Sequence, residues 1–225
     1  MKETEIDKLL HTIDQNKVSY YLTTLIDKLK SISSENNKLG IFMIVVIFLY
    51  YLIDNSIARS INIGPISIDN LSSIQTFIPL FFAFLILRFK IINAHKAELI
   101  KIAKRITSFQ FGIENSNIEP EFTDDFTRTL LPLSLYEEIN KLNYKGASII
   151  GCLGSIVVIP LTILLTFAPY FFEFIWLKDQ FKNFSELNIY EQSSTVLTIW
   201  ILALSFYYLI HTMLISVKEQ KKTSR

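Results

Sequence analysis

Four stretches of the chain are long and almost free of charge. The longest, residues 146–172, has 27 positions without Asp, Glu, Lys or Arg. As a helix it would be about 40 Å long, which exceeds the roughly 30 Å of bilayer hydrocarbon. A soluble domain seldom buries a helix that is apolar on every side. The pattern therefore predicts membrane-spanning helices, at residues 38–57, 70–88, 146–172 and 192–217.

The first of these spans is the shortest. Only the 15 residues from Leu39 to Ile53 are uncharged, so a full crossing needs Lys38 and Asp54 at its two ends. The eleven Leu, Ile, Val and Phe residues between them favour insertion by roughly 3–7 kcal/mol, whereas one Asp near the edge costs less than about 3 kcal/mol. Insertion is therefore expected.

Amphipathic helices are predicted before the first span and after the second span in the sequence. Residues 1–37 carry an apolar stripe at intervals of three and four that includes Leu22 and Leu25, and the polar run at 33–37 predicts a break before the membrane. The segment 89–145 begins with a helical stalk that carries Leu99 and Ile106, followed by a loop over 110–134. We expect these four leucine and isoleucine side chains to form an interface, with the stripe packed on the stalk or on a second copy of the chain.

Small residues and prolines mark two of the spans. Pro79 predicts a kink inside the second span, and the nearby polar Gln75 is expected to face other helices. The third span begins with small residues that would let two helix backbones approach closely. They are Ala147, Gly151, Gly154 and Ser155.

The charged residues are distributed unevenly about the spans. With four spans, both termini and the 88–145 segment share one side of the membrane, and 19 of the 22 Lys and Arg residues fall there when Lys38 at the start of the first span is counted with the N-terminus. The other side has only Arg59, Lys178 and Lys182. Because basic residues are retained in the cytoplasm, both termini, including the basic tail 218–225, are predicted to be cytoplasmic, with the protein in the cell (inner) membrane.

The predicted fold class is therefore all-α. It is a polytopic membrane protein with four transmembrane helices, an amphipathic N-terminal helical segment and a helical cytoplasmic insertion between spans two and three.

Composition excludes several kinds of function. A net charge of +1 gives no global field for nucleic acid, and a single cysteine, Cys152, cannot form a disulfide within the chain. The sequence has no metal-binding, nucleotide-binding or nucleophile-elbow motif. We therefore expect no catalytic residues, no metal and no cofactor.

Three polar groups at membrane depth are candidates for a role in a pore or its gating. Glu173 and His211 are ionisable residues next to or within apolar runs, where such groups are functional candidates by default, and Gln75 is the third. The partners expected are the lipid bilayer, further copies of the chain in a homo-oligomer, and a cytoplasmic protein.

Three functions remain open. The first is a non-enzymatic membrane protein that self-associates and forms or gates a pore, while its cytoplasmic portion senses or binds a partner. In architecture alone, this plan is similar to small multi-span effectors of bacterial defence systems. The second is a membrane anchor or accessory subunit that recruits a cytoplasmic partner. The third is a membrane-embedded enzyme, which would need Asp54 with Glu173, or His211 with cytoplasmic groups, to converge near one interface.

Overall fold

The computed structural model describes residues 14–55, 61–63, 66–68, 75–110 and 149–223. Within them the chain is built from four long helices: α1 (Gln15–Asp54), α2 (Ile78–Gln110), α3 (Ile149–Lys182) and α4 (Ile189–Thr223). The predicted helical fold is confirmed. Predictions for residues 1–13 and for the loop within 111–148 lie outside the described residues.

Three of the helices are long and apolar enough to cross a membrane. Counted over the described residues, they are the portions Asn16–Asp54 of α1, Ile78–Thr107 of α2 and Ile189–Leu214 of α4. The span predicted at 146–172 lies mostly within α3, and its crossing of the bilayer stays a prediction.

Helix α1 runs through the polar segment that was predicted to break it. Its buried positions recur every three or four residues and include Ser33 and Asn36 as well as apolar side chains. The break at 33–37 is therefore wrong, because these polar residues occupy the buried face and find partners on another helix. The Lys96 ammonium of α2 donates to the Ser33 hydroxyl at 3.2 Å, and the Asn36 amide donates to Asn93 Oδ1 at 3.0 Å.

Helix α2 begins later than the second predicted span. Pro79 is its second residue; Gln75 before it is helical and residues 76–77 form a turn, so the helical conformation is interrupted beside Pro79, where the kink was predicted. A proline in the first turn leaves no intrahelical hydrogen bond unmade, since the first amides of a helix have no partner there. The predicted helical continuation of the second span is confirmed, because α2 continues without interruption to Gln110; its place in the cytoplasm stays a prediction.

Helices α3 and α4 extend beyond the predicted spans. Helix α3 continues to Lys182, which leaves residues 183–188 as the link to α4. The link contains a 3₁₀ turn at Phe184–Glu186. Asn188 caps α4, as its Oδ1 accepts from the amides of Tyr190 and Glu191 at 3.0 Å, and its own amide donates to the Glu191 carboxylate at 3.0 Å.

A short hairpin, which was not predicted, follows α1. Strands β1 (Ile61–Ile63) and β2 (Ile66–Ile68) are antiparallel, with Ile61 opposite Ile68 and Ile63 opposite Ile66. Isoleucine alternates with a polar residue in both strands, which is the two-residue period of a strand.

The chain divides into two compact units. The first comprises residues 1–36, 92–133 and 212–225, and the second comprises 37–91 and 134–211. In the first unit, α1 packs on α2 through a cluster of buried apolar side chains: Val18, Leu22, Leu25, Leu29, Leu99, Ala103 and Ile106.

Candidate functional site

The second unit carries a row of buried and half-buried polar side chains on α3 and α4, which we call the polar seam. On α3 its members are seven residues apart, so they share one face of the helix. On α4 the members of the seam follow one another at intervals of one, three and seven residues. The members of the seam are Thr166, Glu173 and Gln180 on α3, and Ser194, Thr195, Thr198 and Ser205 on α4.

Hydrogen bonds join the two helices along this seam. The Thr195 hydroxyl of α4 donates to the Gln180 amide oxygen of α3. Further along, the Ser205 hydroxyl donates to the Tyr170 hydroxyl at 3.1 Å, and the Tyr170 ring packs edge-on against Phe206. The contact between α3 and α4 therefore combines apolar packing with a line of oxygen atoms.

Glu173 is the exceptional member of the seam. It is 0% exposed, and neither carboxylate oxygen has a hydrogen-bond partner among the described residues. Burying a charged group without a partner is among the most costly arrangements in a protein. A native chain that keeps such a group usually does so for function, and this holds above all among apolar helices.

A cluster of polar side chains from three helical segments lies near Tyr50 of α1. Gln75 is its polar neighbour, and the side chains of Asp54, Glu173 and Asp179 are near enough to act electrostatically on its hydroxyl. The Gln75 amide also donates to Asp54 Oδ1 at 2.8 Å. The Tyr50 ring contacts Phe172 edge-on, with centroids 5.2 Å apart, which holds α1 against α3 beside Glu173.

The three predicted pore or gating residues are thus distributed over two places. Glu173 and Gln75 belong to the cluster around Tyr50, together with Asp54, which the sequence paired with Glu173. His211 is elsewhere on α4, exposed and stacked on Tyr207 with centroids 6.1 Å apart. Their roles in a pore stay predictions.

The remaining predicted residues are placed as follows. Leu22, Leu25, Leu99 and Ile106 are buried together within one chain, which is the packing of stripe on stalk that we expected as one alternative. Their use between copies stays a prediction. The small residues Ala147, Gly151, Gly154 and Ser155 lie outside the part of the chain whose side chains are described.

The seam itself was missed at the sequence level, although its spacing could have revealed it. Thr166, Glu173 and Gln180 recur every seven residues along a helix in which most residues are apolar. A serine or threonine hydroxyl in a helix can donate to the backbone carbonyl four residues earlier, as Thr198 does to Ser194 at 2.8 Å. Such residues can therefore lie within an apolar helix without marking its end.

Neither the seam nor the cluster around Tyr50 resembles a metal centre. Among the described residues, no group of three His, Cys, Asp or Glu side chains is arranged to hold a metal ion.

These features define the class of protein: a helical chain with three candidate membrane-spanning helices and a buried polar seam. Comparison with protein-family models, curated proteins and solved structures finds no match. The polar seam and the cluster around Tyr50 are therefore the basis for a proposed function.

Proposed function

We propose that this chain is a non-enzymatic integral membrane protein that self-associates and forms or gates a membrane pore, with its cytoplasmic portion binding a partner. The observation that carries the proposal is Glu173, a fully buried carboxylate without a hydrogen-bond partner among the described residues. The seam supplies hydroxyl and amide oxygens on both sides of it, the kind of groups that replace water around a permeating ion.

In this proposal the seam is a closed path. Its polar groups are covered by the helices that carry them, so conduction requires α3 and α4 to separate or to exchange partners with another copy. Four spans are few to enclose a path alone, which is why we propose self-association. The four spans, the cytoplasmic termini and the inner-membrane location are parts of the same proposal.

Liposome flux tests this proposal. Purified protein reconstituted into vesicles is expected to release a trapped ion or small dye, and Glu173→Gln, which removes the ionisable group of the seam, is expected to change that rate severalfold. Glu186→Gln removes a carboxylate from the exposed link and should leave the rate unchanged. A wild-type protein that is oligomeric and never conducts would contradict the pore.

A second candidate function, a membrane anchor that recruits a cytoplasmic partner, is favoured by one observation in the first unit. Tyr20 and Tyr21 are 76% and 54% exposed on α1, next to the buried stripe. Neighbouring exposed tyrosines are typical of protein-binding surfaces. Loss of partner binding in Tyr20→Ser/Tyr21→Ser, with no flux from the wild type, would favour the anchor.

A further inference from the structure

An apolar groove lies between the end of α3 and the start of α4. Its walls are Phe174, Leu177 and Phe181 of α3 and Ile199 of α4, and it encloses about 600 Å³. Two of these side chains, Phe174 and Phe181, are more than half exposed. The volume is in the range of sites that hold small molecules, and an apolar lining of this kind fits hydrocarbon.

Two lysines line the groove as well. Lys178 and Lys182 are one helical turn apart and both are exposed, so their ammonium groups can reach the same anionic group. Asp179 is the only carboxylate that pairs with either lysine among the described residues, at 3.2 Å from Lys182. That ion pair is largely exposed, and exposed pairs are weak, so it leaves Lys182 free to exchange partners.

The predicted topology makes these two lysines unusual. Only three of the 22 basic residues fall on the non-cytoplasmic side, and Lys178 and Lys182 are two of them. Basic residues on this side oppose the normal orientation signal. Their position beside an apolar groove, at the aromatic end of a predicted span, suggests that binding at this groove is the reason why two lysines lie on this side.

From this geometry we infer that the groove binds an anionic phospholipid. One acyl chain occupies the space between Phe174, Phe181 and Ile199, and the phosphate accepts hydrogen bonds from Lys178 and Lys182. This inference rests on the membrane location and the topology given in the proposed function, and it does not depend on a pore.

Tryptophan quenching by brominated lipids tests the site in the full-length protein. The chain has two tryptophans, and each is next in sequence to a residue of the groove. Trp200 follows Ile199, and Trp176 precedes Leu177. In vesicles of phosphatidylcholine with a fixed share of phosphatidylglycerol, we expect brominated phosphatidylglycerol to quench several times more strongly per lipid than brominated phosphatidylcholine. Lys178→Gln/Lys182→Gln should abolish that preference, because each lysine near the anionic headgroup contributes to it.

The chain offers a closely matched control. Lys30 pairs with Asp27 with the same three-residue spacing and nearly the same exposure as Lys182 with Asp179, so Lys28→Gln/Lys30→Gln removes two similar charges away from the groove. This control and Lys178→Arg/Lys182→Arg should both keep the preference. Equal quenching by the two lipids in the wild type would overturn the proposal, as would a preference that survives Lys178→Gln/Lys182→Gln. Equal loss in the control would also overturn it, because the effect would then be one of net charge.

Discussion

At the scale of single residues, the buried Glu173 side chain is expected to lower the free energy of unfolding. Its carboxylate is fully buried with no hydrogen-bond partner among the described residues. We expect Glu173→Leu to raise the free energy of unfolding by about 1–3 kcal/mol, because it removes an unsatisfied buried group and keeps the side-chain volume. The same variant should lose flux. Thermal unfolding in detergent and vesicle leakage measure the two effects.

The control for this prediction is Thr198→Val, which removes a buried hydroxyl whose hydrogen bond lies within its own helix. Its effect on stability should be small, since that carbonyl keeps its backbone partner. A Glu173→Leu protein that unfolds more easily than the wild type would show that the carboxylate stabilises the bundle, and our interpretation of Glu173 would be wrong.

The rule that marks ionisable residues in apolar runs identified Glu173 and His211 equally, yet the two environments differ completely. Glu173 faces the inside of the bundle, whereas His211 is exposed beside Tyr207. Sequence position gives the depth of a residue along a helix, but the direction it faces depends on how neighbouring helices pack. For the same reason, nothing in the sequence indicated that Tyr50 would bring Gln75 and Glu173 together.

At the scale of helices, the first unit depends on the contact between the α1 stripe and the stalk. Leu25 is 5% exposed at the centre of that contact. We expect Leu25→Asp to destabilise the packing of α1 on α2 by about 2–5 kcal/mol, because it removes a buried side chain and buries a charge. Limited proteolysis should then cut within 15–36 or 92–110, while the protein still inserts into the membrane.

Thr24→Asp is the matched control, since it adds the same charge on the exposed side of α1. It should leave the proteolysis pattern unchanged. If Leu25→Asp disperses the oligomer and leaves each chain equally protease-resistant, the stripe acts between copies and not within one.

Helix ends proved harder to predict than helices. The apolar period gave the stalk correctly, but it placed the start of α2 too early and the end of α3 too soon. In both cases the hydrophobic run and the helix have different bounds. Helix α2 starts where Pro79 can occupy a first turn, and α3 continues past its apolar run to the residue before Asn183. Likewise, Ser33 and Asn36 were taken for a break because their partners, Lys96 and Asn93, are about 60 residues away in sequence.

At the scale of the whole molecule, the predicted arrangement places the α3–α4 link opposite both termini. With Cys152 replaced by Ser, a cysteine introduced at exposed Glu186 should react with an impermeant maleimide in intact cells. One introduced at exposed Lys28 should react only after permeabilisation. Labelling of both positions in intact cells would contradict four spans with cytoplasmic termini.

The short link has a further consequence for how the protein is made. Only residues 183–188 separate α3 from α4, and Gln192 ties the link down by donating to the carbonyls of Phe184 and Leu187 at 3.0 and 3.1 Å. Two helices joined this closely are expected to leave the translocation machinery as a single hairpin. The hydrogen bonds between Gln180 and Thr195 and between Tyr170 and Ser205 could then form before either helix meets lipid, so these polar groups of the newly made chain would not enter hydrocarbon unpaired.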